Sequence, residues 1–164
     1  MDSRLVSCTI EAGVCTLVVN RPDKLNALNR ATLEALDSAF ATAADDPAVR
    51  VVVLTGAGPK AFVAGADIAE MNTLSPVQGR DFSLLGQPLM CRIEGLGKPM
   101  IARLNGFALG GGLELASACH IRVADESTFY ALPEGSRGIF VGGGGAVRIP
   151  KLIGAARMTD MMLT

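Results

Sequence analysis

The chain has 164 residues, 49% of them hydrophobic and 19% charged, with a formal net charge of −1. That is the make-up of one globular domain, long enough to bury roughly two-thirds of the surface its unfolded form exposes. With no basic run, one Tyr and no Trp, nothing in it is built to hold nucleic acid, and no apolar stretch reaches the ~18 residues of a membrane span.

The opening Met1-Asp2-Ser3-Arg4-Leu5-Val6-Ser7-Cys8 has neither an apolar core nor an Arg-rich, acid-free pattern, so it reads as neither signal nor transit peptide. Cys8, Cys15, Cys91 and Cys119 fall in apolar-periodic segments without C-x-x-C spacing. Buried free thiols in a reducing compartment are favoured over disulfides or metal, and the expected location is the cytoplasm.

Residues 5–11 and 14–20 alternate apolar and polar around Ala12-Gly13, which predicts a hairpin. Arg21-Pro22-Asp23-Lys24 is a loop. Asn29 can cap a helix running to Ala44, with Leu33, Leu36 and Phe40 on one face, stopped by Asp45-Asp46-Pro47. The β-branched run from Val49 to Thr55 suits a strand covered on both faces. Ser75-Pro76 reads as N-cap and first residue of a second long helix, its face marked by Phe82, Leu85, Leu89 and Ile93.

Met100 to Leu104 is a further buried strand, and Asn105-Gly106 a turn. A short helix is expected from near Gly111 to Ala118 or Cys119, then strand-like pieces over 121–124 and 128–131. Pro150 is expected to break the next segment, and 155–163 looks helical. Strands alternating with helices predict an α/β layered fold, with no fixed-period repeat. The final Met161-Met162-Leu163-Thr164 carries no helix-ending signal, which reads as a truncation.

Chemistry concentrates in three small-residue segments. Gly110-Gly111-Gly112 precedes the short helix, where bare N–H groups at the positive end of the dipole can hold an oxygen that becomes negative. A tight turn or close packing would explain the same glycines. A Rossmann phosphate loop would not, because G-x-G-x-x-G is not met.

Glu114 follows on the first helical turn among Leu113, Leu115 and Ala116, where partial desolvation would raise its proton affinity. Its plainer role is to complement the helix dipole. Glu134 follows Pro133 upstream of Gly142-Gly143-Gly144-Gly145, and could be an ordinary loop acid. His120 stands alone and is expected to be a packed residue. No G-x-S-x-G serine supports a hydrolase triad.

The joint pattern is more specific than its parts. Arg21-Pro22 with Lys24-Leu25-Asn26-Ala27-Leu28, then Ala61-Phe62-Val63-Ala64-Gly65-Ala66-Asp67-Ile68, then Asn105 to Ala116 around the triple glycine, then Pro133-Glu134, closely resembles the enoyl-CoA hydratase/isomerase (crotonase) family. The resemblance implies an α/β spiral of repeated ββα units, assembled as trimers or pairs of trimers, and an acyl-CoA thioester substrate. It implies oxyanion-hole donors at the backbone N–H groups of Ala66 and Gly111 and a catalytic pair at Glu114 and Glu134. It places a water-positioning backbone at Gly142, and CoA-lining segments at Lys24, Leu25, Ala27, Ala64, Asp67 and Ile68.

No metal or redox cofactor is needed, coenzyme A being part of the substrate. The family is about half as long again, so residues 1–164 are expected to be the core domain without the C-terminal helices. Ala131-Leu132 stands where relatives often carry Gly-Gln, and Ala69 where they often place a lysine near the CoA phosphates. The expected reaction is reversible syn hydration of a 2-enoyl-CoA to a 3-hydroxyacyl-CoA. Glu134 would deliver the α-proton and Glu114 would orient and deprotonate water. The rival readings are a double-bond isomerase or a thioester hydrolase of the same fold, and a non-catalytic acyl-CoA-binding or assembly subunit.

Overall fold

The computed structural model describes residues 5–164. In chain order its elements are β1 (Val6–Glu11), β2 (Val14–Val19), α1 (Arg30–Asp45), β3 (Val51–Gly56), β4 (Ala61–Val63), α2 (Ile68–Met71) and α3 (Pro76–Glu94). They continue as β5 (Met100–Leu104), β6 (Phe107–Leu109), α4 (Gly111–Ala118), β7 (Ile121–Ala124), β8 (Tyr130–Ala131), α5 (Gly145–Ile153) and α6 (Ala155–Leu163). One sheet has the order β1-β2-β3-β5-β7, the other β4-β6-β8. All pairings are parallel except the opening hairpin.

Strands β3, β5 and β7 each enter the large sheet, and the strand that follows each one enters the small sheet before the chain turns into helix. Successive β–β–α turns therefore wind a spiral, as expected. The turns begin at Val51, Met100 and Ile121, at unequal intervals, which is why no sequence period betrays them.

Local chemistry explains the main elements. Ala12 and Gly13 both take positive φ, the conformation a two-residue hairpin turn requires. Asn29 caps α1 by accepting from the Thr32 N–H at 2.9 Å, and Leu33, Leu36 and Phe40 bury the predicted face. A reciprocal capping box between Ser75 and Gln78 starts α3, with Pro76 at the first helical position.

Three expectations need correction. Pro150 does not break its segment: α5 runs through it to Ile153. Proline removes one ladder bond, at ~3 kcal/mol in a helix interior. Burial of Ile149, with Ile153 packed on the same cluster, offsets that cost, and the break falls at Gly154, at φ 86. All four thiols are free, but only Cys15 and Cys119 are buried. Cys8 is exposed because β1 is an edge strand buried at Val6 alone, and Cys91 faces solvent on α3. His120 is not packed in the core either; it lies exposed, its Nδ1 accepting from the Met100 N–H at 3.0 Å and its Nε2 3.0 Å from the Glu94 carbonyl.

The core has two parts. The larger gathers Leu17, Leu36, Phe40, Leu54, Met100 and Leu115 between the large sheet and its helices. The smaller joins Leu113, Leu132, Val141, Ile149 and Met158. Helix α4 belongs to both, so Glu114 stands between a residue of each and has little freedom to move.

Candidate active site

The site is assembled where the start of α4 meets the loop after β4. Gly110 (φ 50, ψ −121) turns the chain from β6 into the helix, and its N–H is tied to the Ala131 carbonyl at 2.9 Å. Gly112 lets the helix rest on β4, since a Cβ there would lie 1.9 Å from the Val63 carbonyl oxygen. On the facing loop, Ala66 bridges to Leu28: the Leu28 N–H donates to the Gly65 carbonyl at 2.8 Å and the Asp67 N–H to the Leu28 carbonyl at 2.9 Å.

This leaves two backbone donors uncommitted. Among the described residues neither the Ala66 nor the Gly111 N–H has a protein acceptor, and both residues line one cavity. The two segments approach closely: a Cβ on Gly111 would sit 3.6 Å from the Ala66 nitrogen. A ligand oxygen held there would meet preset dipoles with no reorganisation.

Glu114 and Glu134 line the same cavity of about 120 Å³, with Gly142 and Gly143. Glu114 Oε1 accepts from the Gly143 N–H at 2.8 Å and the Gly145 N–H at 2.7 Å. Its other oxygen has no protein partner among the described residues. Burial pushes the Glu114 carboxyl up from its ordinary range and Glu134 adds to the rise, while the two glycine N–H groups and Arg148 oppose it. Glu134 is only 9% exposed, and its Oε2 is fully buried without a hydrogen bond. Burial pushes it up too, against its own backbone N–H and the Arg137 charge. A buried, orphaned carboxyl oxygen beside an open cavity is a group awaiting a ligand proton or a water.

Leu28, Leu33, Met71, Phe82, Met90 and Phe140 make most of the remaining wall apolar, with Ser83 among them. A second cavity adjoins this one through Ala66, Met71 and Glu134, and Ala64, Ile68 and Arg137 line it. The two cavities thus share part of their walls beside the paired N–H groups.

The expected CoA-lining residues separate into two groups. Ala64 and Ile68 face the second cavity, and the Ala64 N–H donates to the Leu25 carbonyl at 3.0 Å, joining both segments. Lys24 and Ala27 line none of the described cavities. The Asp67 carboxylate is committed to protein, pairing with Arg21 at 2.8 Å and capping α2.

Arg21 also donates to the Ala27 carbonyl, and buried Asn26 donates to the Ala57 and Ala61 carbonyls. Arg21 and Asn26 were visible in the sequence as part of the family motif; their distant backbone partners were not. Phe82, on the expected apolar face of α3, packs against the core and also lines the cavity, one helical turn from Gly86 and two from Met90.

A spiral of β–β–α turns with two carboxyl groups beside two free backbone donors is the architecture of a crotonase-class protein. The enoyl-CoA hydratase/isomerase family model matches residues 9–164, and the chain belongs to that family. It is 45% identical to a crotonyl-CoA hydratase of Syntrophomonas wolfei and 44% identical to a short-chain-enoyl-CoA hydratase of Clostridium acetobutylicum, in each case over 94% of this chain and 59% of the relative. The crystal structure of an enoyl-CoA hydratase from Bacillus anthracis superposes with a TM-score of 0.92 at 38% identity, covering 96% of this chain and 62% of that one. One from Thermoplasma volcanium gives 0.93 at 38%, covering 98% and 64%. The chain thus spans about 60% of the length of these relatives.

Proposed function

We propose that this chain carries the catalytic core of an enoyl-CoA hydratase, adding water reversibly and syn to a short 2-enoyl-CoA to give the 3-hydroxyacyl-CoA. The observation that carries the reading is that Glu114 and Glu134 line one cavity together with the unbonded Ala66 and Gly111 N–H groups. The thioester oxygen would sit between those two donors. As water reaches the β-carbon, negative charge grows on that oxygen, where preset donors are worth the most.

Glu114, anchored through Oε1, turns its unbonded oxygen to the attacking water and takes its proton; Glu134 delivers the α-proton. The Glu134 charge adds to the rise in the proton affinity of Glu114. Gly142, next to the peptide that holds Glu114, is the water-positioning backbone in this scheme. Ala64 and Ile68, with Lys24, Leu25, Ala27 and Asp67 shaping the neighbouring loop, would guide the pantetheine arm. Coenzyme A enters as part of the substrate, and the scheme calls on no other cofactor.

The reading extends to a homotrimer or hexamer, supported by exposed apolar side chains on β7, and to the cytoplasm, supported by four free thiols. Among the described residues no helix is long and apolar enough to cross a membrane. Loss of the conjugated-thioester absorbance of crotonyl-CoA, with the product identified as 3-hydroxybutyryl-CoA, tests the proposal. A product with a shifted double bond, or free CoA, would replace it with isomerisation or hydrolysis.

A further inference from the structure

We infer that Gln87 is a positioning residue for Glu114, acting through the single peptide group that joins Gly142 to Gly143. The Gln87 Nε2 group, on α3, donates to the Gly142 carbonyl oxygen at 2.8 Å. The N–H of that same peptide belongs to Gly143, and it donates to Glu114 Oε1 at 2.8 Å. One rigid plane is therefore gripped at both ends, by an α3 amide on one side and the carboxylate on the other. A donor on the carbonyl polarises the peptide and strengthens its N–H as a donor.

The loop needs such a grip. Four consecutive glycines, Gly142 to Gly145, have little intrinsic preference for any one backbone conformation. Side chains at two of them would push on Glu114 itself, because a Cβ on Gly143 would lie 3.1 Å from Glu114 Oε2 and one on Gly145 2.8 Å from its Cγ. Bare backbone is what lets two N–H groups reach the carboxylate, and order has to come from outside the loop.

A second tether reinforces the first. The Arg148 Nη1 group donates to the Gly143 carbonyl at 3.3 Å, while Glu94 on α3 holds the same guanidinium at 2.8 and 3.0 Å. Helix α3 thus sets the loop, and the loop sets Glu114. Gln87 is exposed and does not itself line the catalytic cavity, so its action on the chemistry is indirect, through Gly142.

The inference rests on the hydratase reading in one respect, that ionised Glu114 takes the proton from water. The charged groups acting on Glu114 are Glu134, from the loop after β8, and Arg148, from α5 and itself paired with Glu94 of α3. None of these changes when Gln87 does. Losing the Gln87 donor weakens the Gly143 N–H, destabilises the carboxylate and moves its titration to higher pH.

The test uses Gln87→Met, which keeps bulk and loses the donor, and Gln87→Lys, which keeps an N–H donor. For crotonyl-CoA hydration Gln87→Met is expected to lower kcat roughly tenfold, less than the ~10²-fold that a misplacement of an ångström can cost. KM should stay within about twofold and the acid limb of the kcat profile should move up in pH, while Gln87→Lys retains most of kcat.

In parallel, 13C NMR of protein labelled at the glutamate carboxyl carbon follows Glu114 directly, its signal identified by loss in Glu114→Gln. An upward shift of that midpoint in Gln87→Met supports the inference even if the parent chain hydrates nothing, in which case the hydratase reading alone fails. An unchanged midpoint overturns the inference, whether kcat falls or not.

Discussion

Glu134 has a carboxyl oxygen buried without a partner, a costly arrangement that a reacting ligand would relieve. Replacing it with glutamine keeps the shape and removes the titrating proton. Turnover of crotonyl-CoA should fall by at least ~10²-fold, as on losing a positioned general acid, with little change in KM. Stability should move the other way. Burial holds the folded-state proton affinity of Glu134 above its unfolded value. The folded state therefore binds more protons between the two values, and stability falls as pH rises through that window. Glu134→Gln abolishes the loss, so its urea midpoint should exceed the parent's at neutral pH and converge on it below the ordinary carboxylate range. A variant equally active, or less stable at neutral pH, would contradict this. The glutamates and the glycine-rich segments were legible because an acid beside bare backbone has few other uses in such a pattern. The hydrogen bonds of Gln87 and Arg21 were not, since their partners are backbone carbonyls 55 and six residues away and no residue type announces such a bond.

At the scale of elements, the same substitution should have opposite signs at two glycines. Gly112→Ala would drive a Cβ to 1.9 Å from the Val63 carbonyl, at the seam where α4 rests on β4. Backbone must shift on both sides, so a cost of about 3 kcal/mol or more is expected, with turnover lost because the paired N–H groups part. Gly79, inside α3, has nothing within 4 Å of the point where an added methyl would stand, and it takes no left-handed φ. Alanine there should stabilise by about 0.5–1 kcal/mol through helix propensity and a less disordered unfolded chain. Chemical denaturation of both variants decides the pair. Helices α1, α3 and α4 were legible from caps and apolar spacing, because each is long enough or punctuated enough to show its period. The small sheet was legible only at β8, inside the strand expected over 128–131: β4 and β6 have three residues each, too short to show alternation. The spiral was therefore legible from the family resemblance and not from residue periodicity, since every turn places its second strand in that sheet.

At the scale of the whole molecule, large apolar side chains stand exposed on and around one edge of the large sheet. Strand β7 ends the large sheet with Ile121 and Val123 on one face, 49% and 54% exposed, and no described strand pairs with its outer edge. Phe107 and Phe129 pack edge to face at 6.3 Å with both rings partly in solvent. Phe140 and Val147 stand out near the cavity and along α5. The one charge on β7, Arg122, folds back to donate to the Cys119 carbonyl at 2.6 Å and does not guard that edge. An edge strand with outward β-branched side chains invites pairing, and apolar patches of this kind mark contact surfaces. The chain should therefore self-associate at micromolar concentration through the β7 face, and sedimentation velocity should show a species heavier than the monomer. Val123→Lys places a charge in the centre of that face without disturbing the core, so it should shift the distribution towards monomer. Because Val123 lies on the edge strand and lines none of the described cavities, kcat should hold within about twofold if the site is complete within one chain, exposed surface changes being nearly neutral otherwise. A monomeric parent that binds no hydrophobic dye would refute the surface argument, and a monomeric variant that loses turnover would show that a neighbouring copy completes the site.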